Sequence, residues 1–241
     1  MLPNSVTRFK VAPFSGVFLN TANVEGKNVY PDQMKYVFNM MNSSAGAQAG
    51  CLRSKLPSEQ WKCMFAEEVI EHVKTPLMVM NSAYDSWSSF CIFTAEYVDP
   101  SSPRNGNCTA APGWYDCIRT GACTDEQIDK YNRLWGDKFR QIIATNPGIK
   151  KDGNGAFVYS CHQHCAESNY NWWNRITLGE TTMREAFTKW YFSDNEPAQK
   201  HVYGDCSYTD GFYCNPTCAA ATVDDSKSID GYFKKISGWW N

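Results

Sequence analysis

The sequence predicts an α/β fold organised as one domain, and three observations predict it. Two short apolar runs, Pro76-Leu77-Met78-Val79-Met80 and Ala156-Phe157-Val158-Tyr159, read as strands buried on both faces. Segments with apolar residues at helical spacing alternate with these runs. Each run passes straight into a loop rich in polar residues, and open α/β sheets carry their chemistry beyond the carboxyl ends of their strands.

The elements follow in order. Residues 16–20 form a short apolar run after Pro13 and predict a strand. Residues 31–41 start with Pro31, which suits a first helical turn, and place Met34, Val37, Phe38 and Met41 at helical spacing. Residues 43–50 are small and predict a loop. Residues 66–73 predict a helix that ends before Thr75-Pro76, because the residue before a proline is driven out of the helical region. Residues 98–124 carry Pro100, Pro103 and Pro112 and predict a loop. Thr124 and Gln127 form a capping box that opens an amphipathic helix to about residue 144. Residues 182–192 predict another helix, with Met183, Ala186, Phe187, Trp190 and Tyr191 facing inward, and residues 206–218 a loop tail.

Composition narrows the setting. The chain has 241 residues, of which 43% are hydrophobic and 15% aromatic, enough for one sizeable core and unlike a disordered chain. A net charge of -2 without a run of like charge gives no sign of a nucleic-acid or anionic-membrane partner, and none is expected. No stretch is apolar enough to span a membrane. Eleven cysteines fit an oxidising, secreted or luminal setting, and their odd number leaves one thiol over. Asn42 and Asn107 head N-x-[ST] sequons and are candidate glycosylation sites. Residues 1–16 hold no apolar export core, so a secreted protein of this kind is expected to have further sequence upstream.

Two loop residues carry the chemistry. Asp85 follows the first buried strand and His164 the second. That order is the one in which the acid and the base of a Ser-His-Asp triad follow their serine in α/β-hydrolases. The acid orients the imidazole, and the imidazole moves the proton between serine and leaving group.

The residues around this pair resemble those of the pectin acetylesterase family, which includes Notum-type carboxylesterases. Asn81-Ser82-Ala83-Tyr84-Asp85-Ser86-Trp87 is similar to an N-A-A-Y-D-S-W stretch. Gly113-Trp114-Tyr115-Asp116-Cys117 with Cys123-Thr124 is similar to a W-x-D-C…C-T region, and Ser160-Cys161-x-x-His164-Cys165 to S-C-x-x-H-C. The resemblance runs collinearly over about residues 8–218. It departs from the family pattern at Ser88, where Gln is usual after the Trp. It implies an α/β-hydrolase-like, mostly parallel sheet with disulfide-rich loops and without the N-terminal part of the fold. The whole chain, 1–241, would be one partial domain, the C-terminal portion of such a hydrolase. The family's nucleophile elbow, G-x-S-A-G-G, and its oxyanion glycines belong upstream of residue 1.

By that resemblance Asp85 is the catalytic acid, His164 the catalytic base, and Tyr84 and Trp87 are substrate-pocket neighbours. The implied reaction is hydrolysis of a carboxylic ester through an acyl-serine, with no cofactor and no metal, on an acetylated, pectin-like polysaccharide. The alternatives are a lipid-ester carboxylesterase and a non-catalytic binding protein. Ser44, in Ser43-Ser44-Ala45-Gly46, also precedes Asp85 and His164, but a helix precedes it where an elbow needs a strand. Cys161, His162, His164 and Cys165 could be read as zinc ligands, although their spacing is unusual for a structural site. The expected disulfides are Cys51–Cys63 and Cys117–Cys123, Cys91 with Cys108, and Cys161 and Cys165 each to a partner among Cys206, Cys214 and Cys218, a connectivity that spacing alone does not fix. His162, His201, Trp239 and Trp240 receive no role.

Overall fold

The computed structural model describes residues 8–101, 108–193, 197–203 and 214–218. Asn107, Cys206, Trp239 and Trp240 lie outside the described residues.

Both apolar runs are strands. β1 (Met78–Ser82) and β2 (Gly155–Tyr159) pair in parallel, Met78 opposite Gly155 and Ser82 opposite Tyr159. A short antiparallel ribbon, β3 (Thr177–Leu178) with β4 (Thr181–Thr182), stands apart from them. β5 (Gln199–Val202) pairs in parallel with β2, giving the order β1-β2-β5. The loop tail predicted for the end of the chain therefore follows a strand that the sequence did not announce. Gln199-Lys200-His201-Val202 has no apolar run, because this strand is only partly buried.

On the far side of β1, residues 11–15 run parallel to it. The Val11 and Ser15 amides donate to the carbonyls of Pro76 and Met80, and the Met78 and Met80 amides donate to the carbonyls of Val11 and Pro13. The strand predicted at 16–20 is thus displaced about five residues toward the N-terminus. Pro13 has no N–H to give, but its position in the ladder needs only its carbonyl. The run from Val17 to Leu19 is apolar because it crosses the core, where both residues are buried.

Alternation along the strands sends side chains to two cores. Val79, Ala156 and Val158 join Tyr131, Trp135, Phe139 and Ile143 on one face. Met78, Met80, Phe157 and Tyr159 join Trp172, Met183, Ala186 and Trp190 on the other. The sheet is covered on both faces, as parallel sheets are.

The helices near the site have readable causes. Thr124 and Gln127 form the predicted capping box. The long helix follows as Asp125–Tyr131, one π turn at Asn132–Gly136, and Asp137–Thr145. The π turn fits a close approach: a Cβ on Gly136 would stand 2.2 Å from the Tyr84 hydroxyl. Helix Met183–Phe192 is opened by a second capping box, Thr182 with Glu185. Pro31 sits in the first turn of helix Val29–Met40. The segment predicted helical at 66–73 is helical at Ala66–Val69 and tightens to a 3₁₀ turn at Ile70–His72. The predicted loop 98–124 contains a helix, Tyr115–Thr120, closed by Gly121 in the left-handed conformation.

Disulfides join Cys51 to Cys63, Cys91 to Cys108, Cys117 to Cys123 and Cys161 to Cys218, and Cys214 is disulfide-bonded too. The expectation of a bridge at Cys165 is corrected: Cys165 is an exposed thiol. Its residue has φ 53°, and its N–H is bound to Ser15, so this turn is held by a hydrogen bond rather than by sulfur. No helix among the described residues is long and apolar enough to cross a membrane.

Candidate active site

β1 and β2 end side by side, and the two loops that leave them meet. Ser82 Oγ donates to the Cys161 carbonyl and accepts from the Tyr84 amide, and the Ala83 amide donates to the Tyr159 carbonyl. These bonds brace the first turn of each loop against the other. Asp85 then caps a short helix, its Oδ1 accepting from the Ser88 amide at 2.8 Å. Its Oδ2 is left for His164, whose Nδ1 lies 2.6 Å away.

The two partners are solvated differently. The Asp85 side chain is 1% exposed and that of His164 is 35% exposed. The hydrogen bond to Asp85 raises the His164 pKa above the ordinary imidazole value, against the opposing pull of burial, and the charges of Asp85 and Glu167 add to the rise. With Nδ1 held by a carboxylate, Nε2 is the nitrogen left to exchange a proton. The arrangement can therefore orient an imidazole and support its charged form, which is what a general base needs when it takes a proton.

His164 borders a groove of about 320 Å³, lined also by Trp87, Phe90, Ile118, Arg119 and His162. Burial holds His162 down to about 4, with Arg119 adding to the fall, so the ring is neutral at neutral pH. The Arg119 guanidinium lies over the Phe90 ring, 5.8 Å from its centroid. Trp87 packs edge-on against Phe18 and Tyr30.

Tyr84 is not at the pocket, a correction to its expected place. Its side chain is buried in the core against Tyr131 and Tyr203, and its hydroxyl donates to Asn132. Tyr84 turns into the core while Asp85 beside it turns toward His164. Asn42 is exposed, in a left-handed conformation, and its Oδ1 accepts from Ser44 Oγ. Ser44 lies in a 3₁₀ turn between two helices and not on a strand-to-helix turn. Cys161 is committed to Cys218, so it offers no thiolate to a metal.

Sequence reasoning missed Ser15, Arg119 and Glu167. Glu167 is 8% exposed and sits three residues beyond His164. Nothing in one sequence separates a buried loop glutamate from an exposed one.

Comparison with known proteins gives a consistent picture. The family model described as Pectinacetylesterase matches residues 1–219. Pectin acetylesterase 11 of Arabidopsis thaliana is 27% identical over 222 residues, which make up 90% of this chain and 51% of that protein. Pectin acetylesterase 5 of the same plant is 29% identical over 207 residues, 84% of this chain and 43% of that protein. Among solved structures, the Wnt deacylase Notum from Drosophila aligns with a TM-score of 0.59 at 17% identity, covering 86% of this chain and 49% of that one. The fold is therefore α/β-hydrolase-like with a mostly parallel sheet, and the chain spans about half the length of the curated relatives it matches.

Proposed function

The chain belongs to the pectinacetylesterase family, and from that premise we propose that it carries the acid and base of a carboxylic ester hydrolase. The observation that supports this most is the hydrogen bond between His164 Nδ1 and Asp85 Oδ2 at the carboxyl ends of two adjacent parallel strands. In this reading Asp85 orients His164 and stabilises its charged form. Nε2 takes the proton of a serine hydroxyl as the oxygen attacks the ester carbonyl. The same nitrogen then returns the proton to the leaving alcohol, and water releases the acid from the acyl-serine. Among the described residues no serine hydroxyl bonds to Nε2 of His164, so we place the nucleophile on an elbow in the portion of the relatives that this chain does not span.

The substrate we propose is an O-acetyl ester on an acidic, pectin-like polysaccharide outside the cell. Arg119 favours this over a lipid tail. A guanidinium on the rim of an open groove suits a carboxylate-bearing sugar, whereas an acyl chain gains nothing from it. The disulfides suit an oxidising compartment, and Asn42 is a proposed glycan site. The test is acetate release from acetylated pectin by the protein purified from its native source. Release that disappears in His164→Ala supports the reading, and equal release from His164→Ala sinks it. A second reading, a non-catalytic sugar-binding protein, draws on the lack of a serine at Nε2 among the described residues. It predicts pectin binding with no acetate release from either protein.

A further inference from the structure

A second polar cluster lies beneath the catalytic pair. Ser15 and Cys165 both adopt left-handed backbone, φ 49° and 53°, although neither is glycine. They meet through one hydroxyl: the Cys165 amide donates to Ser15 Oγ at 2.9 Å, and Ser15 Oγ donates to Glu167 Oε2 at 3.0 Å. The other carboxyl oxygen, Oε1, accepts from the Tyr159 hydroxyl at 3.3 Å. Ser15 and Glu167 are both buried. The chain of bonds thus runs from Tyr159 on β2, through the buried Glu167 carboxyl and the Ser15 hydroxyl on the segment beside β1, to the residue immediately after His164. Two strained backbones and a buried carboxyl with two donors make a built device, because each costs free energy unless its neighbours hold it.

We propose that Glu167, acting through Ser15, is the positioning residue for His164: it fixes the turn at Cys165 so that the imidazole stays against Asp85, and it sets a second carboxyl beside that imidazole. The titratable groups around it are Asp85 from the loop after β1, Tyr159 from β2, and His164 and Cys165 from its own loop. Segment 11–15 contributes only the Ser15 hydroxyl. Burial lifts Glu167 to about 7, against the hydrogen bonds it accepts. Its charge therefore develops near neutrality and supports the protonated imidazole, in addition to what Asp85 does directly.

The inference rests on His164 being the base, but its test needs no turnover, so the two fail separately. The measurement is the pH titration of the His164 ring protons by NMR in the 241-residue chain. Glu167→Gln keeps an acceptor for Ser15 and removes the charge. Ser15→Gly removes the bridge while placing glycine where φ is positive, so it tests the proposal even if the first variant does not fold. The expected result is a titration midpoint that moves to lower pH in both variants. In the parent the ring shift should also carry a second inflection near pH 7 from the Glu167 carboxyl, and Glu167→Gln should lose it. A Ser15→Gly midpoint equal to that of the parent overturns the proposal, whatever Glu167→Gln does, because a charge effect alone needs no bridge.

Discussion

The loop after β1 and the loop after β2 present the two halves of the site, and they are held by different physics. The acid loop is held by the core. Asp85 is 1% exposed, its neighbour Tyr84 is sunk among Tyr131 and Tyr203, and the Trp135 indole N–H donates to the Ala83 carbonyl at 2.7 Å. The base loop is held by cross-links. The Cys161–Cys218 disulfide anchors its start and the Ser15–Glu167 bridge its end, with His164 between them and partly in water. The contrast fits the tasks proposed for the two residues. A carboxylate that only orients its partner can be buried once its oxygens are bonded, whereas an imidazole that trades protons with substrate must reach solvent and groove. Packing suits the first and sparse tethers suit the second.

The largest expected effect breaks the base side. Opening Cys161–Cys218 with a Cys161→Ser, Cys218→Ser pair frees a loop closed over 57 residues. Chain entropy then predicts a loss of about 4 kcal/mol in chemical unfolding. The Cys117–Cys123 bridge closes a separation of only 6, and the same argument gives about 2 kcal/mol for its removal.

A comparable effect comes from pH. Glu67 and Glu167 are both held up to about 7 by burial, from 4.5. Between those values the folded chain keeps protons that the unfolded chain releases, so stability is fully present below 4.5 and falls as pH rises toward 7. His162, held down to about 4 from 6.5, acts in the opposite sense and favours the folded chain less as pH falls. His201, also lowered by burial, acts like His162, whereas His164, raised by its hydrogen bond to Asp85, acts with the carboxyls; with both carboxyls on the falling side, stability should decline from pH 5 to 7. Glu167→Gln should flatten that decline by about 1–3 kcal/mol, measured as denaturant midpoints across pH.

The acid side should break through packing. A Cβ at Gly136 would meet the Tyr84 hydroxyl at 2.2 Å and its ring carbon Cζ at 2.7 Å. Gly136→Ala should cost about 1–3 kcal/mol in thermal or denaturant unfolding, with Tyr84 displaced beside Asp85. The smallest effect belongs to neither loop. Arg119 is exposed on the groove, so Arg119→Gln should change stability by less than about 0.5 kcal/mol. It should nonetheless weaken binding of oligogalacturonate in a calorimetric titration, and a fully retained affinity would remove Arg119 from the substrate reading.

The same contrast explains what the sequence made legible. β1 and β2 are buried on both faces, so their apolar runs stand out, and Asp85 and His164 follow them at once. The capping box at Thr124 is local and reads directly. β5 was hidden because a partly buried strand needs no apolar run, and residues 11–15 because their pairing is made by backbone rather than by side-chain pattern. The tethers of the base loop were the least visible. Ser15 and Glu167 stand 152 residues apart and meet only in the fold. Cys165 belongs to a dense cysteine cluster, yet the turn it occupies is held by an amide hydrogen bond.

The proposed site stands or falls on Asp85 holding the Nδ1 proton of His164. The most direct measurement is the low-field proton NMR spectrum of the chain and of Asp85→Asn. A strongly downfield Nδ1 proton is expected, and it should disappear in Asp85→Asn while the remaining spectrum stays folded. The same resonance, unmoved in Asp85→Asn, would contradict it.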